Sequence, residues 1–122
     1  MRILIIDDSK NKNNWIRAML EKENIEYDEL TYFNEAYSHI LNNTELYDGI
    51  ILDMQFPILK DSPIQSKSGE YFLKKLKNRK INIPVLGNSM IKFSNTEQYP
   101  FFKGNTNGYQ NPKMLEYFLE SI

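Results

Sequence analysis

Two carboxylates stand side by side at Asp7 and Asp8, directly after the apolar run Ile3-Leu4-Ile5-Ile6. A third, Asp53, directly follows Ile50-Ile51-Leu52. A short apolar run reads as a buried strand, and such a strand tolerates a carboxylate only at its end. Two of these strands lying parallel and adjacent bring their C-terminal ends to one edge of a sheet, so the three carboxylates converge. Like charges that close raise one another's pKa values unless a cation sits among them. Oxygen donors of this kind suit a hard divalent cation, Mg2+ first.

The elements that must position these residues follow from periodicity. The first strand covers 2–6, and a helix over 10–23 carries Trp15, Ile16, Met19 and Leu20 at helical spacing, with Ser9 as its N-cap. A second strand covers 25–31, and a second helix, capped by Asn34, carries Ala36, Tyr37, Ile40 and Leu41 before Asn42-Asn43 ends it. The third strand, 47–53, is apolar without alternation, as a central parallel strand should be. A long aperiodic loop with Pro57 and Pro63 precedes a third helix over 69–79, built on Tyr71, Phe72, Leu73 and Leu76. A fourth strand is expected at 81–86, a weak or stunted helix in 90–98, a fifth strand at 99–103 and a loop at 105–110. The last helix starts at Asn111 with Pro112 in its first turn and buries Met114, Leu115, Phe118 and Leu119.

Strands alternating with helices predict an α/β fold, a five-stranded parallel sheet covered on both faces in a three-layer sandwich. The doubly wound, flavodoxin-like order 2-1-3-4-5 places strands 1 and 3 together, with the ligand crevice at their C-terminal ends. Asp7, Asp8 and Asp53 fall there. The simpler alternatives are that Asp7 and Asp8 cap the first helix and that Asp53 forms a strand-end turn.

Composition narrows the function. The chain has 122 residues, enough for one domain spanning 1–122 with a full core. Its 15 basic and 16 acidic residues give a net charge of −1, which offers no field for direct nucleic-acid or membrane-surface binding. There are no cysteines and a single histidine, His39, which excludes disulfides, thiolate sites and multi-histidine zinc sites within one chain. Met1 runs straight into a strand pattern, and no apolar run approaches the roughly 18 residues of a membrane span. The expectation is a cytoplasmic protein.

Three segments together carry a resemblance: Ile3-Leu4-Ile5-Ile6-Asp7-Asp8, Ile51-Leu52-Asp53-Met54-Gln55-Phe56-Pro57, and Ile83-Pro84-Val85-Leu86-Gly87-Asn88-Ser89. In this order, on this α/β pattern, they resemble the CheY-like receiver domain of two-component response regulators over nearly the whole chain. The resemblance implies a phosphoacceptor switch rather than an enzyme acting on a separate substrate. Asp53 would take a phosphoryl group from a sensor histidine kinase, a phosphotransfer protein or a small phosphodonor. Asp8, Asp7, Asp53 and the backbone carbonyl of Gln55 would hold Mg2+. Ser89 would donate its hydroxyl to a phosphoryl oxygen, and Lys103 would pair with Asp53 and then with the phosphoryl group. From its position two residues past Asp53, the Gln55 side chain would orient water for hydrolysis. The chain reaches its last residues with the final helix, so output is expected through contact with a downstream protein, as a monomer or a weak dimer.

The chain also departs from the family. The 57–69 loop is long, Met90 follows Ser89 where a small residue is usual, and the fourth helix is stunted. Pro100 stands where an aromatic switch residue is common, with Tyr99 or Phe101 as substitutes. Gly104 rather than proline follows Lys103, and an alternative register puts the fifth strand nearer Gly108-Tyr109. These departures support a second reading, a receiver-like binding module that works without phosphorylation. A haloacid-dehalogenase-like phosphatase would need a third-position aspartate where Ser9 stands.

Overall fold

The computed structural model describes residues 1–107 and 110–122. In chain order the strands are β1 (Arg2–Ile6), β2 (Glu26–Leu30), β3 (Gly49–Leu52), β4 (Phe56–Pro57), β5 (Ile64–Gln65), β6 (Val85–Ser89) and β7 (Phe102–Asn107). The α-helices are α1 (Asn14–Lys22), α2 (Phe33–Asn42), α3 (Ser68–Asn78) and α4 (Pro112–Glu120), with 3-10 turns at Asn11–Asn13 and Thr96–Gln98. Five strands form a parallel sheet in the order β2-β1-β3-β6-β7, the doubly wound order expected. The alternative strand register at Gly108-Tyr109 lies outside the described residues.

The continuous apolar runs have a simple cause. Both faces of the central strands are covered, so odd and even residues are buried alike. Ile3, Ile5, Ile51 and Leu86 pack on Ile16 and Leu20 of α1 and on Leu115 and Phe118 of α4. Leu4, Ile6, Ile50 and Leu52 pack on Phe33, Ala36 and Ile40 of α2 and on Phe72, Leu73 and Leu76 of α3. Each fully buried aliphatic or aromatic side chain contributes roughly 1.5–3 kcal/mol of transfer free energy. The sheet is therefore a rigid platform for whatever its C-terminal edge carries.

Four local differences from the sequence reading matter. The first turn after β1 is 3-10, not α-helical, and Ser9 does not cap α1. The run Lys10-Asn11-Lys12-Asn13-Asn14 is rich in asparagine, whose amide competes with helical backbone bonds. Second, α2 begins at Phe33, one residue before the expected cap Asn34, because the Phe33 ring packs against Tyr37, Phe56, Tyr71 and Phe72. Third, the 57–69 loop is partly folded: Phe56 pairs antiparallel with Gln65 and Pro57 with Ile64, a small hairpin anchored by buried Phe56.

Fourth, the last two sheet strands lie further along the chain than periodicity suggested. Ile81 and Ile83 are buried but precede β6, since Pro84 has no N–H for a ladder. Tyr99 and Phe101 are buried in the turn before β7, and β7 itself is the mostly polar run Phe102–Asn107. Gly104, at φ +141°, sits at a bulge opposite Val85 and Leu86. Between β6 and β7 the stunted helix is a single 3-10 turn. The buried ring of Phe93 fills the space there, packing on Phe102 at 5.3 Å between ring centres.

Candidate functional site

β1 and β3 pair with Ile6 opposite Leu52, so Asp7 and Asp53 each follow the last rung of the same ladder. The backbone confirms the level: Asp53 N donates to Ile6 O at 2.9 Å and Asp7 N to Leu30 O at 3.1 Å. Asp7 and Asp53 are buried and Asp8 is half-buried. Oxygens of all three carboxylates lie within 4.8 Å of one another. Asp8 also lines a cleft of about 390 Å³ with Tyr32, Glu35, Pro57 and Lys60, which opens the cluster to solvent.

Each buried carboxylate accepts a neighbouring backbone N–H on its Oδ1. Asp7 Oδ1 accepts from Ser9 N at 2.9 Å, while its buried Oδ2 accepts no backbone N–H. Asp53 Oδ1 accepts from Met54 N at 2.8 Å. The strand-end turn considered for Asp53 thus coexists with the cluster, while neither Asp7 nor Asp8 is the N-cap of α1 or of the 3-10 turn before it.

A cation is already present. Lys12 Nζ lies 3.0 Å from Asp7 Oδ2 and 3.3 Å from Asp53 Oδ1. Its side chain is only 18% exposed. Burial lowers the Lys12 pKa, but the charges of Asp7 and Asp53 outweigh it and the net shift is upward, so the ammonium is held charged. Sequence reading gave Lys12 no role, yet a signal exists. Lys12 stands three, four and seven residues before Trp15, Ile16 and Met19, so helical phase puts it on the inward stripe beside the acidic pair.

Lys103 is placed elsewhere. It is exposed, second in β7 and the extra residue of its bulge, three residues before Thr106. Thr106 pairs with Asn88, which follows the Gly87 rung opposite Leu52, so Thr106 marks the level of Asp53. Three strand residues span roughly 10 Å, and β7 is two strands from β3, about another 10 Å. The structure therefore does not bring Lys103 to the carboxylates, because β7 runs on to Asn107 rather than ending near 103.

Ser89 ends β6 at the same sheet edge, buried, with its Oγ accepting from Ile91 N at 3.1 Å. Met90 beside it is 61% exposed. Gln55 is half-buried in the turn after β3. Sequence reading also missed a buried polar chain: Thr106 Oγ1 donates to Asn88 Oδ1 at 2.6 Å, Asn88 Nδ2 to Asn13 Oδ1 at 3.2 Å, and Asn13 Nδ2 to Ser9 O at 3.3 Å. It ties the turn carrying Lys12 to β6 and β7.

Burial, then the charge of Asp7, raises the Asp53 pKa from 3.8 to about 6, against the opposing pull of Lys12 and Met54 N. Burial also raises that of Asp8, with Asp7 adding to it. A carboxyl whose folded pKa is raised stabilises the fold below its unfolded pKa and loses that contribution as pH rises through the folded value. In metal-free protein, Asp53→Asn should therefore gain stability over wild type as pH rises from 4 to 7, by about 2 kcal/mol. Thermal melts in EDTA across that range measure it. A difference independent of pH would show that Asp53 ionises in the fold as it does in the unfolded chain.

The site fits a hard cation on its own chemistry: three convergent carboxylates whose negative charge the single Lys12 ammonium only partly offsets. The fold is that of response-regulator receiver domains. The signal receiver domain of a protein described as a LuxO repressor from Vibrio parahaemolyticus superposes with a TM-score of 0.79 at 18% identity, over 98% of this chain and 87% of that one. A receiver domain from Clostridium thermocellum gives 0.77 at 19% identity, over 98% and 91%. A Francisella response-regulator receiver domain gives 0.71 at 24% identity, over 98% and 91%. No family model and no curated protein sequence matches the chain.

Proposed function

We propose that this chain is a phosphoacceptor receiver, a signalling switch phosphorylated on Asp53 in the presence of Mg2+. The observation that carries the reading is the carboxylate cluster at the ends of β1 and β3, on a receiver fold. Asp8, Asp7, Asp53 and the Gln55 carbonyl would hold Mg2+, which when bound neutralises charge on the incoming phosphoryl group. Among the described residues, the hydrogen bond and the ion pair to Asp53 both fall on Oδ1. Oδ2 is therefore the nucleophile. It forms a bond to phosphorus while the bond from phosphorus to the donor's nitrogen or acyl oxygen breaks, and the electron pair leaves with the donor. Ser89, on the same edge, donates to a phosphoryl oxygen once transfer is complete.

The phosphodonor is a histidine kinase, a phosphotransfer protein or a small phosphodonor, and a downstream protein reads the result. The site of action is cytoplasmic; among the described residues no helix is long and apolar enough to cross a membrane. The test is intact mass after incubation with Mg2+ and acetyl phosphate or phosphoramidate. Wild type should gain about 80 Da, one phosphoryl group, and Asp53→Asn nothing. A gain on Asp53→Asn at the wild-type rate would move the site to another residue.

A second reading, binding without phosphorylation, has its own observation. Leu59, Ile64 and Tyr71 are exposed around the hairpin, beside a groove of about 430 Å³ lined by Ile58, Gln65 and Ser68. No mass gain on wild type, with Mg2+ still bound, would favour it.

A further inference from the structure

A phosphoryl group on a buried carboxylate adds charge that a neighbouring cation offsets, and the strand expected to supply that cation does not. The chain contains no lysine, arginine or histidine between Lys103 and Lys113, so the end of β7 has no cation to offer. Residues at the Asp53 level of β7 are Asn105 and Thr106, and the Thr106 hydroxyl is committed to Asn88.

We propose that Lys12 is the cation that binds the phosphoryl group on Asp53, delivered from the 3-10 turn behind β1 instead of from the end of β7. The inference rests on the phosphoacceptor reading of Asp53. Its geometry is direct: Nζ already touches the acceptor carboxylate at 3.3 Å and Asp7 at 3.0 Å. An ammonium has three N–H donors. Two are accounted for by Asp7 and Asp53, which leaves one for a phosphoryl oxygen arriving on Oδ2.

The charge balance favours it. Three carboxylates against one ammonium leave a surplus of about two negative charges, which a divalent cation cancels. Phosphorylation then exchanges the single charge of Asp53 for up to about two on the phosphoryl group. Without Lys12 that excess would double in a buried site. Position matters as well as charge. The turn is held by Asn13, whose amide reaches Ser9 O on one side and Asn88 on the other, so Lys12 is fixed before any phosphodonor arrives. Lys12 touches the reacting group and is in that sense a catalytic residue.

The test compares wild type, Lys12→Met and Lys103→Met at saturating Mg2+. Methionine keeps an unbranched apolar stem of similar length and removes the charge. Lys12→Met should take up phosphoryl from phosphoramidate about 100-fold more slowly, the typical loss of one preorganised donor. Lys103→Met should stay within about twofold of wild type, in line with its exposure. Equal rates for wild type and Lys12→Met, or the loss appearing in Lys103→Met, would overturn the assignment. A silent wild type would overturn the reading of Asp53 itself, which the mass measurement on wild type reports separately. A second measurement needs no variant. With beryllofluoride as a stand-in for the phosphoryl group, the side-chain NMR resonance of Lys12 should shift and that of Lys103 should not. An unmoved Lys12 resonance in beryllofluoride-bound protein would refute the proposal even if Lys12→Met failed to fold.

Discussion

Gly69→Ala should unfold far more easily than wild type and lose the site with the fold. Gly69 is the second residue of α3, and its N–H donates to Met54 O at 2.8 Å. A Cβ there would stand 2.3 Å from the Asp53 carbonyl oxygen and 2.9 Å from both Met54 Cα and the Phe93 ring. Two of those three neighbours are backbone of the Asp53 turn, so they cannot rotate away. Either α3 moves off the sheet or the turn carrying Asp53 moves. Ser68 adds to the weld by donating its hydroxyl to Phe56 O, at the base of the hairpin. The expected loss is about 3 kcal/mol, at the upper end for an overpacked core. That is a fall of about 10 °C in thermal midpoint for a domain of this size. In the fraction still folded, Mg2+ affinity should fall as well, because the Asp53 turn is what the helix displaces. An unchanged melt would mean that α3 slides without cost, and Gly69 would then have no role in holding the Asp53 turn.

Legibility from the sequence followed the range of the forces involved. β1 is Arg2–Ile6 as read, and α4 starts at Pro112 with Asn111 accepting from Met114 N, because an apolar run and a cap are local signals. The carboxylate cluster was legible for a related reason. A strand-terminal aspartate needs only the run before it, and the alternation of elements supplied the neighbour. β7 was not legible. Lys103-Gly104-Asn105-Thr106-Asn107 is, Thr106 apart, made of residues depleted in strands, and pairing with β6 makes it a strand. The aromatic residues that looked like the strand, Tyr99 and Phe101, are buried by the turn before it. The hairpin escaped because each of its strands is two residues long, too short to show alternation. Lys12 escaped because an exposed-looking lysine in an asparagine run acquires its partners only when the turn folds back over the edge. Its identity as a site residue is a tertiary fact, with helical phase as the one local hint.

The fixing of that turn makes Asn88→Ala the second substitution with a large expected effect. Asn88, Asn13 and Thr106 are all buried. Removing the Asn88 amide strips Asn13 Oδ1 of its donor and the Thr106 hydroxyl of its acceptor, in a site too enclosed for water to replace either easily. Two unpaired buried groups should cost about 3 kcal/mol together. Thr106→Val removes one hydroxyl and leaves only Asn88 Oδ1 short of a partner, so about 1 kcal/mol is expected. Since the residues form one chain, the double variant should cost less than the sum, with a coupling of about 1 kcal/mol. The functional consequence lies at the far end. Asn13 is adjacent to Lys12, and a released turn lets the ammonium leave Asp7 and Asp53. Asn88→Ala should thus slow phosphoryl uptake at saturating Mg2+ while it remains folded, and Thr106→Val should do so weakly. Zero coupling in the cycle would mean that the three side chains are buried independently, and the turn that carries Lys12 would then need another anchor in the sheet.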